Sequence, residues 1–529
     1  MNLTLKNNLG FNWFENNTLF FKGYFYVDDH FYEKEDALNY LLNIKTVANF
    51  KAELNVINGV FSFIISLEDT ICIASDLTRS FPLFYTIQKG KLFLSDDILH
   101  LKKQFTIDDF DKISEIELKA SNHTHGKKTL LKNVFQVQAS EYLIINNDEV
   151  IDRNFFFTYA IEKESSDSYS SLKNKTIITF NNVFKRFIDS LNNRTIVVPL
   201  SGGFDSRLIA IMLKKYNYKN VVCYTYGRKD SFEIENSQKT AKTLNFEWHF
   251  IEYKDDLISD FLITDEFKDY AHFAGKLSSM PNLQEYFAVK HLKKQKLISN
   301  DAIFVPGYAG DLLGGSQFLK VIPENLKQEQ IADLVIRKKF SNYPLSKTEK
   351  KTIKNQVEQN LFHFDENYVK KIPSSVFEDY DIKEKIAKYI FNSANFYTFF
   401  GYEHRFPFWD KELLDLFKKV PVKYKNMKML FNTVLINEYF KPNTVYFENE
   451  LQPSGKSKHT QKIKDQIKPF LPTFVKKRFL QKNDWNNYKP ITDQIDTLIV
   501  SKGLKVQKSS KDYNEIITQW YLYFSKNMI

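Results

Sequence analysis

The stretch Thr195-Ile196-Val197-Val198-Pro199-Leu200-Ser201-Gly202-Gly203-Phe204-Asp205-Ser206-Arg207 sets the architecture of this chain. TIVVPL is an uninterrupted apolar run of strand length, and apolar residues recur at helical spacing from Arg207 to Tyr216. A continuous apolar strand suits a sheet covered on both faces, and ligands bind at strand-to-helix turns on the carboxyl end of a parallel sheet. Between strand and helix, Gly202 and Gly203 remove Cβ atoms, so backbone N–H groups can close on an anion. The helix N-terminus attracts negative charge, and Ser201 and Ser206 add hydroxyl donors. Asp205 would repel a phosphate unless a cation bridges the two, which implies Mg2+. The loop is neither G-x-x-x-x-G-K-[ST] nor G-x-G-x-x-G.

Downstream, the same rhythm continues. NVVCYTYG and FEWHFIEY read as strands, with a helix from Phe232 to Asn245 between them. A helical stretch from Leu283 to Leu292 leads to a further strand, AIFVP. Strands alternating with helices predict a doubly wound parallel sheet. From about Glu324 onward the chain reads as mainly helical, with IKEKIAKYIFNSANFYTFF and KELLDLFKKV as the clearest amphipathic pieces. Upstream, residues 1 to about 157 read as short aromatic and β-branched strands, among them LFFKGYFYV, VFSFIISL, ICIASD, KLFLSD and EYLIINN. The polar, serine-rich IEKESSDSYSSLKNK then serves as a linker or opens the next helix.

Composition excludes several classes. With 529 residues, 43% hydrophobic and 26% charged, the chain is of globular type and long enough for two or more cores. Two cysteines, Cys72 and Cys223, both in apolar runs, leave no disulfide framework and no all-cysteine metal site. No apolar run approaches membrane-spanning length, and the start lacks the pattern of a secretory signal, so a cytoplasmic location is the default expectation. The net charge of +10 is concentrated: Ser454 to Phe479 holds eight Lys/Arg against one Asp. That localised excess reads as a solvated basic stretch, or as a surface for a partner, a membrane or a polyphosphate. It does not read as the basic face of a nucleic-acid binder.

SGGFDS resembles the pyrophosphate loop of the ATP pyrophosphatase superfamily, and three further segments resemble the asparagine synthetase family within it. Pro306-Gly307-Tyr308-Ala309-Gly310-Asp311-Leu312-Leu313-Gly314-Gly315 matches the family's second motif at Gly307, Asp311, Gly314 and Gly315, but lacks the glutamate after the aspartate and is one residue shorter. Glu403-His404-Arg405-Phe406-Pro407-Phe408-Trp409-Asp410 is similar to E-x-R-x-P-F-L-D, and YTYGRKDSFEIENSQKTAKTLNFEWHFIE to the second strand and helix. NGVFSFIISLEDTICIASDLTRSFPLFY resembles the family's glutaminase-type domain. The resemblance implies an α/β fold in two parts: an α+β Ntn-hydrolase-like sandwich at residues 1–160, and a doubly wound ATP-pyrophosphatase domain with a helical C-terminal part at 170–529.

The resemblance further implies an ATP-dependent amide-forming ligase. A carboxylate attacks the α-phosphorus of ATP, giving an acyl-adenylate and pyrophosphate, and ammonia or an amine then displaces AMP. Leu200, Ser201, Gly202, Gly203, Asp205, Ser206, Tyr226 and Gly307 align with nucleotide-binding positions. Asp205 and Asp311 align with carboxylates that hold Mg2+, and Glu403 with a glutamate near the reacting centre. Arg405 reads as a structural partner that fixes its loop. The family's lysine after its P-x-S-V segment falls on Glu450, a charge reversal, and Lys456 or Lys458 is the substitute expected to reach in.

The N-terminal part departs further. The family's nucleophilic cysteine is replaced in Met1-Asn2, and its N-G-E motif reads Lys22-Gly23-Tyr24. This part is therefore expected not to hydrolyse glutamine, and nitrogen would come from ammonia, an amine substrate or a separate ammonia-supplying protein. Similar losses occur in branches that close β-lactams or lasso peptides and in branches encoded with surface-polysaccharide genes, so the acid need not be aspartate. A non-catalytic nucleotide-binding scaffold and an RNA-thiolating enzyme are the competing readings, and the latter lacks cysteines in a reactive setting. A homodimer is compatible with any of these.

Overall fold

The structure is a computed structural model that describes residues 2–318, 325–447, 484–504 and 513–527. Short strands rich in phenylalanine, tyrosine and isoleucine build the N-terminal part. They are β1 (Asn2–Thr4), β2 (Trp13–Glu15), β3 (Leu19–Val27), β4 (His30–Glu33), β5 (Asn58–Leu67), β6 (Thr70–Ser75), β7 (Phe84–Gln88), β8 (Lys91–Ser95), β9 (Val134–Gln136), β10 (Glu141–Asn146) and β11 (Glu149–Phe155). One sheet runs β11-β10-β6-β5-β3-β2, with β4 paired to β3, and the other runs β1-β8-β7-β9. Between them lie Ile64, Ile73, Leu83, Leu92, Leu94 and Leu143, all essentially without solvent contact. A second core forms where helices Lys34–Leu41 and Val47–Val56 cover the larger sheet with Leu38, Leu41, Phe50 and Leu54. These helices, and two more at Ile98–Phe105 and Lys112–Ser121, are additions to the strands read from sequence. The result is the expected layered α+β sandwich.

After helix Tyr169–Asp189 come β12 (Ile196–Pro199), β13 (Val221–Gly227), β14 (Glu247–Glu252), β15 (Ile303–Phe304) and β16 (Glu403–His404). All pair in parallel, in the order β14-β13-β12-β15-β16. Ile196, Val197, Val198, Ile303 and Phe304 are wholly buried, as strands covered on both faces require. Helices Phe204–Lys215, Phe232–Leu244 and Tyr286–Lys294 make the crossovers. The strand order reverses between β12 and β15, so the crevice outside their carboxyl ends is the topological switch point. Beyond β15 the described chain is mainly helical, as expected, apart from β16. No helix among the described residues is long and apolar enough to cross a membrane.

Arg405 fastens the sandwich to the parallel sheet. Its guanidinium is 1% exposed and lies 4.1 Å from the ring centre of Tyr24 on β3. It pairs with Glu403 at 3.0 Å and with Glu33 of β4 at 3.4 Å. The structural role expected for Arg405 therefore spans the two halves of the chain. Removing one partner of a buried ion pair strands the other charge. Arg405→Met is expected to lower unfolding stability by about 3 kcal/mol, with Arg194 still paired to Glu403. Urea denaturation, followed by fluorescence, checks it.

Candidate active site

β12 ends at Pro199, and the chain turns through Leu200 to Gly203, the N-cap of the helix that begins at Phe204. No side chain caps this helix, so N–H groups of its first turn remain available to an anion. Within the turn, Ser201 and Ser206 hydroxyls lie 3.2 Å apart, and the Ser201 hydroxyl accepts from the Gly203 N–H at 3.1 Å. Behind the turn sits Arg207, fully buried. Its guanidinium donates to the carbonyls of Gly202 at 2.6 Å and Val445 at 2.9 Å and lies over the rings of Phe440 and Phe447. Arg207 thus holds the backbone of the loop, a role that sequence reading, which took it only as the helix start, did not assign.

The loop after β15 closes against this turn. The Asp311 N–H donates to Asp205 Oδ2 at 2.9 Å. A Cβ on Gly310 would stand 2.6 Å from Asp205 Cγ, and one on Gly307 2.9 Å from Asp205 Cβ, so both positions need glycine for close approach. Desolvation, with the charge of Asp311 adding to it, pushes the Asp205 carboxyl up to about 8; Lys428 and the Asp311 N–H pull the other way. Lys428 Nζ lies 3.7 Å from Asp311. Two hard carboxylates that raise each other's energy at the mouth of an anion turn fit a Mg2+ ion, which takes one or two carboxylates plus phosphate oxygens.

These groups open on a cavity of about 960 Å³, near the upper end of the usual range for ligand sites. Leu200, Ser201, Gly203, Asp205, Ser206, Tyr226, Gly307 and Asp311 all line it, and Gly202 lies just behind, turned toward Arg207. Tyr226 stacks on Tyr253 at 5.3 Å and forms part of one wall. Trp485 and Tyr488, from the described C-terminal residues, line another, and Arg228 N–H donates to the Trp485 carbonyl at 2.9 Å. Sequence reading missed Lys428, Glu285 and these aromatics, because each arrives from a segment with no motif of its own.

Glu403 corrects an expectation. It does not line the cavity. β16 places it opposite Ile303, which pairs with Ile196, the first residue of β12. The anion turn begins beyond Pro199, three residues further along, or about 10 Å at strand rise. Burial works against its charge, but Arg405 and Arg194 overcome this and hold the carboxyl below its usual range. Glu403 is thereby fixed as an anion at the amino end of the sheet. Lys456 and Lys458, and the Glu450 position they were expected to replace, lie outside the described residues.

Residues 191–435 match the model of the family described as asparagine synthase. A 7-cyano-7-deazaguanine synthase from Sulfurihydrogenibium sp. is 38% identical over 63 residues, which is 12% of this chain and 28% of that protein's length. Among solved structures, an NH3-dependent NAD synthetase from Campylobacter jejuni is 17% identical with a TM-score of 0.20, covering 37% of this chain and 96% of that one. An NMN synthetase from Francisella tularensis is 13% identical with a TM-score of 0.19, covering 37% and 87%. A glutamine phosphoribosylpyrophosphate amidotransferase from B. subtilis is 11% identical with a TM-score of 0.19, covering 56% and 62%. The stretch matched to the asparagine synthase family, residues 191–435, carries both acidic loops and the strands that aim them.

Proposed function

We propose that this protein is an ATP-dependent carbon–nitrogen ligase. It adenylates a substrate carboxylate with release of pyrophosphate, and ammonia or an amine then displaces AMP to leave an amide. One observation carries the reading: Asp205 and Asp311 meet across the strand-order reversal, beside a helix N-terminus that no side chain caps. Mg2+ held by these two carboxylates would offset charge on the departing pyrophosphate. The chain's own groups do the rest. First-turn N–H groups and the Ser201 and Ser206 hydroxyls bind phosphate oxygens where charge develops. Arg207 keeps the loop backbone in place, and Lys428 adds a cation on the pyrophosphate side. Leu200 and Tyr226 flank the nucleotide.

The nitrogen does not come from glutamine hydrolysed by the sandwich. Burial pushes the Cys72 thiol up to about 12 and the Cys223 thiol up as well, so neither supplies a thiolate. At the position of the family's asparagine, Lys22 is buried, donates to the Asn7 carbonyl and lies 5.3 Å from the ring centre of Phe81.

Three outcomes test this reading. Pyrophosphate and AMP should appear from ATP with a carboxylic acid and ammonia, and Asp205→Ala should cut that turnover by about 10²–10³-fold; a variant at wild-type rate removes the proposed metal role. Gly310→Ala should also lower turnover and weaken the response to Mg2+, because its methyl group forces the two acidic loops apart; a Mg2+ titration of the rate reads this. Glutamine should replace ammonia poorly or not at all, and release of glutamate from glutamine by the purified chain would contradict the assignment of the sandwich.

A further inference from the structure

We propose that Glu285 is the proton acceptor of the amide-forming step: its carboxylate takes the proton from the nitrogen that attacks the acyl-adenylate, and Tyr397 and Tyr308 extend its reach into the cavity. The proposal rests on the ligase reading and assigns the base that Glu403, at the far end of the sheet, does not provide.

Among the described residues, five carboxylates line the cavity: Asp205, Glu233, Glu285, Asp311 and Asp484. Asp205 and Asp311 face each other across the metal position. Asp484 caps the following helix, accepting from the N–H groups of Tyr488 and Lys489 at 2.8 Å each. Glu233 stands against Gly202, where a Cβ would come within 3.3 Å of the Glu233 Cα, and so belongs to the anion loop. Glu285 differs from these four in its partners, which are two tyrosine hydroxyls. It immediately precedes the helix Tyr286–Lys294 and is 7% exposed. Both of its hydrogen bonds end on one oxygen: Oε2 accepts from Tyr224 at 2.5 Å and from Tyr397 at 2.7 Å. Oε1 has no hydrogen-bond partner among the described residues, which leaves an acceptor for a nitrogen in the cavity.

The tyrosines give the carboxylate a path. Tyr397 donates to Glu285, and its oxygen is 3.5 Å from the Tyr308 hydroxyl, which lies in the loop between Gly307 and Asp311 and lines the cavity. A proton can thus pass from the nitrogen to Oε1 directly, or through Tyr308 and Tyr397 to Oε2. The step balances. The nitrogen lone pair forms the C–N bond, the carbonyl carbon's bond to the AMP phosphate oxygen breaks, AMP leaves with that electron pair, and the ammonium proton ends on Glu285. Burial raises this carboxyl to about 7, the two tyrosine bonds holding it back from rising further. Among the described residues no cation faces it; the titratable groups around it are Tyr224 and Tyr226 of β13, with Tyr253, Tyr270, Tyr308 and Tyr397. A base with a pKa near the working pH combines the required protonation state with useful driving force.

The test separates the two half-reactions in the full chain, with ATP, Mg2+ and a panel of amino, dicarboxylic and uronic acids. ATP–pyrophosphate exchange reads adenylation. Amide formed from ammonia reads the second step, and hydroxamate formed from hydroxylamine, whose nitrogen is acidic enough after C–N bond formation to lose its proton to water, reads attack that depends far less on a protein base. Glu285→Gln should lower ammonia-dependent amide formation by about 10²–10⁴-fold while exchange and hydroxamate formation fall far less. The wild-type amide rate should rise with pH through about 7, as Glu285 loses its proton, and this limb should vanish in E285Q. Tyr397→Phe removes a donor to the charged form, so its limb should move to higher pH. Amide formation by E285Q at the wild-type rate, or parallel loss of exchange and amide, overturns the assignment. Absence of exchange by the wild-type chain with every acid overturns the ligase reading instead, and the assignment with it.

Discussion

Two carboxylates held against each other in a crevice that water only half reaches are the constraint on which the site is built. Asp205 leaves β12 and Asp311 leaves β15, and these strands are neighbours only because the order of the sheet reverses between them. The reversal directs two successive loops to one place. Gly307 and Gly310 let the backbones approach until the Asp311 N–H reaches Asp205. The contact is unfavourable when both groups are ionised, and among the described residues Lys428, at 3.7 Å from Asp311, offsets it. Such an arrangement lowers stability unless a ligand resolves it, and strongly perturbed carboxyls in a cleft mark functional sites more often than structural ones.

The legible part of this molecule follows from local rules. A continuous apolar strand, a glycine pair and a helix in that order forced β12, its turn and its helix into the predicted places, and the same rhythm gave β13, β14 and β15. Asp311 was legible through its spacing from the glycines around it. Glu403 was misread for a physical reason. A two-residue strand such as β16 has no periodicity, and its register against Ile303 is fixed by Arg194 and Arg405, one of them more than two hundred residues away. Glu285 was invisible for the same kind of reason. Its two tyrosine partners come from β13 and from helix Asn395–Phe399, and nothing in Gln284-Glu285-Tyr286 announces that three distant segments converge there. The helices of the sandwich escaped because the aromatic strands around them dominate the local pattern.

The seam between sandwich and ligase half is unusually rich in buried charge. Glu384 accepts from the Gly126 N–H and from Lys388 at 2.7 Å, while Lys388 also donates to the Gly126 carbonyl. His123 and His125 stack at 4.4 Å beside them, and burial lowers both well below the usual histidine range. With Glu384 these histidines are close enough to share a metal ion. The occupancy is already settled otherwise, since an ammonium holds the carboxylate and His125 is bonded at both nitrogens, to Tyr380 and Ser121. The cluster is better understood as a lock. Glu384 and Lys388 find these partners only when Thr124–Gly126 of the sandwich meets the helical run through Lys388, and a buried charge stripped of its partner costs more than an apolar contact. The sandwich thus presents a surface shaped against the second half of the chain, whatever chemistry either half performs.

That separation of duties explains why carboxylates in one cavity titrate for different reasons. Asp205 is raised by desolvation and by a second carboxylate, so a divalent cation would reverse its shift. Glu285 is raised by burial alone, and the tyrosine bonds that restrain it would persist whatever occupies the phosphate position. An ion at the first site therefore leaves the second free to remain a base near neutral pH. In the proposed reaction, adenylation would need a fixed charge and amide formation a mobile proton. A single cavity can serve both only if the groups that answer to the metal are kept apart from the group that answers to solvent pH. Their partners do this: Asp205 accepts from the Asp311 N–H, whereas Glu285 accepts from the hydroxyls of Tyr224 and Tyr397.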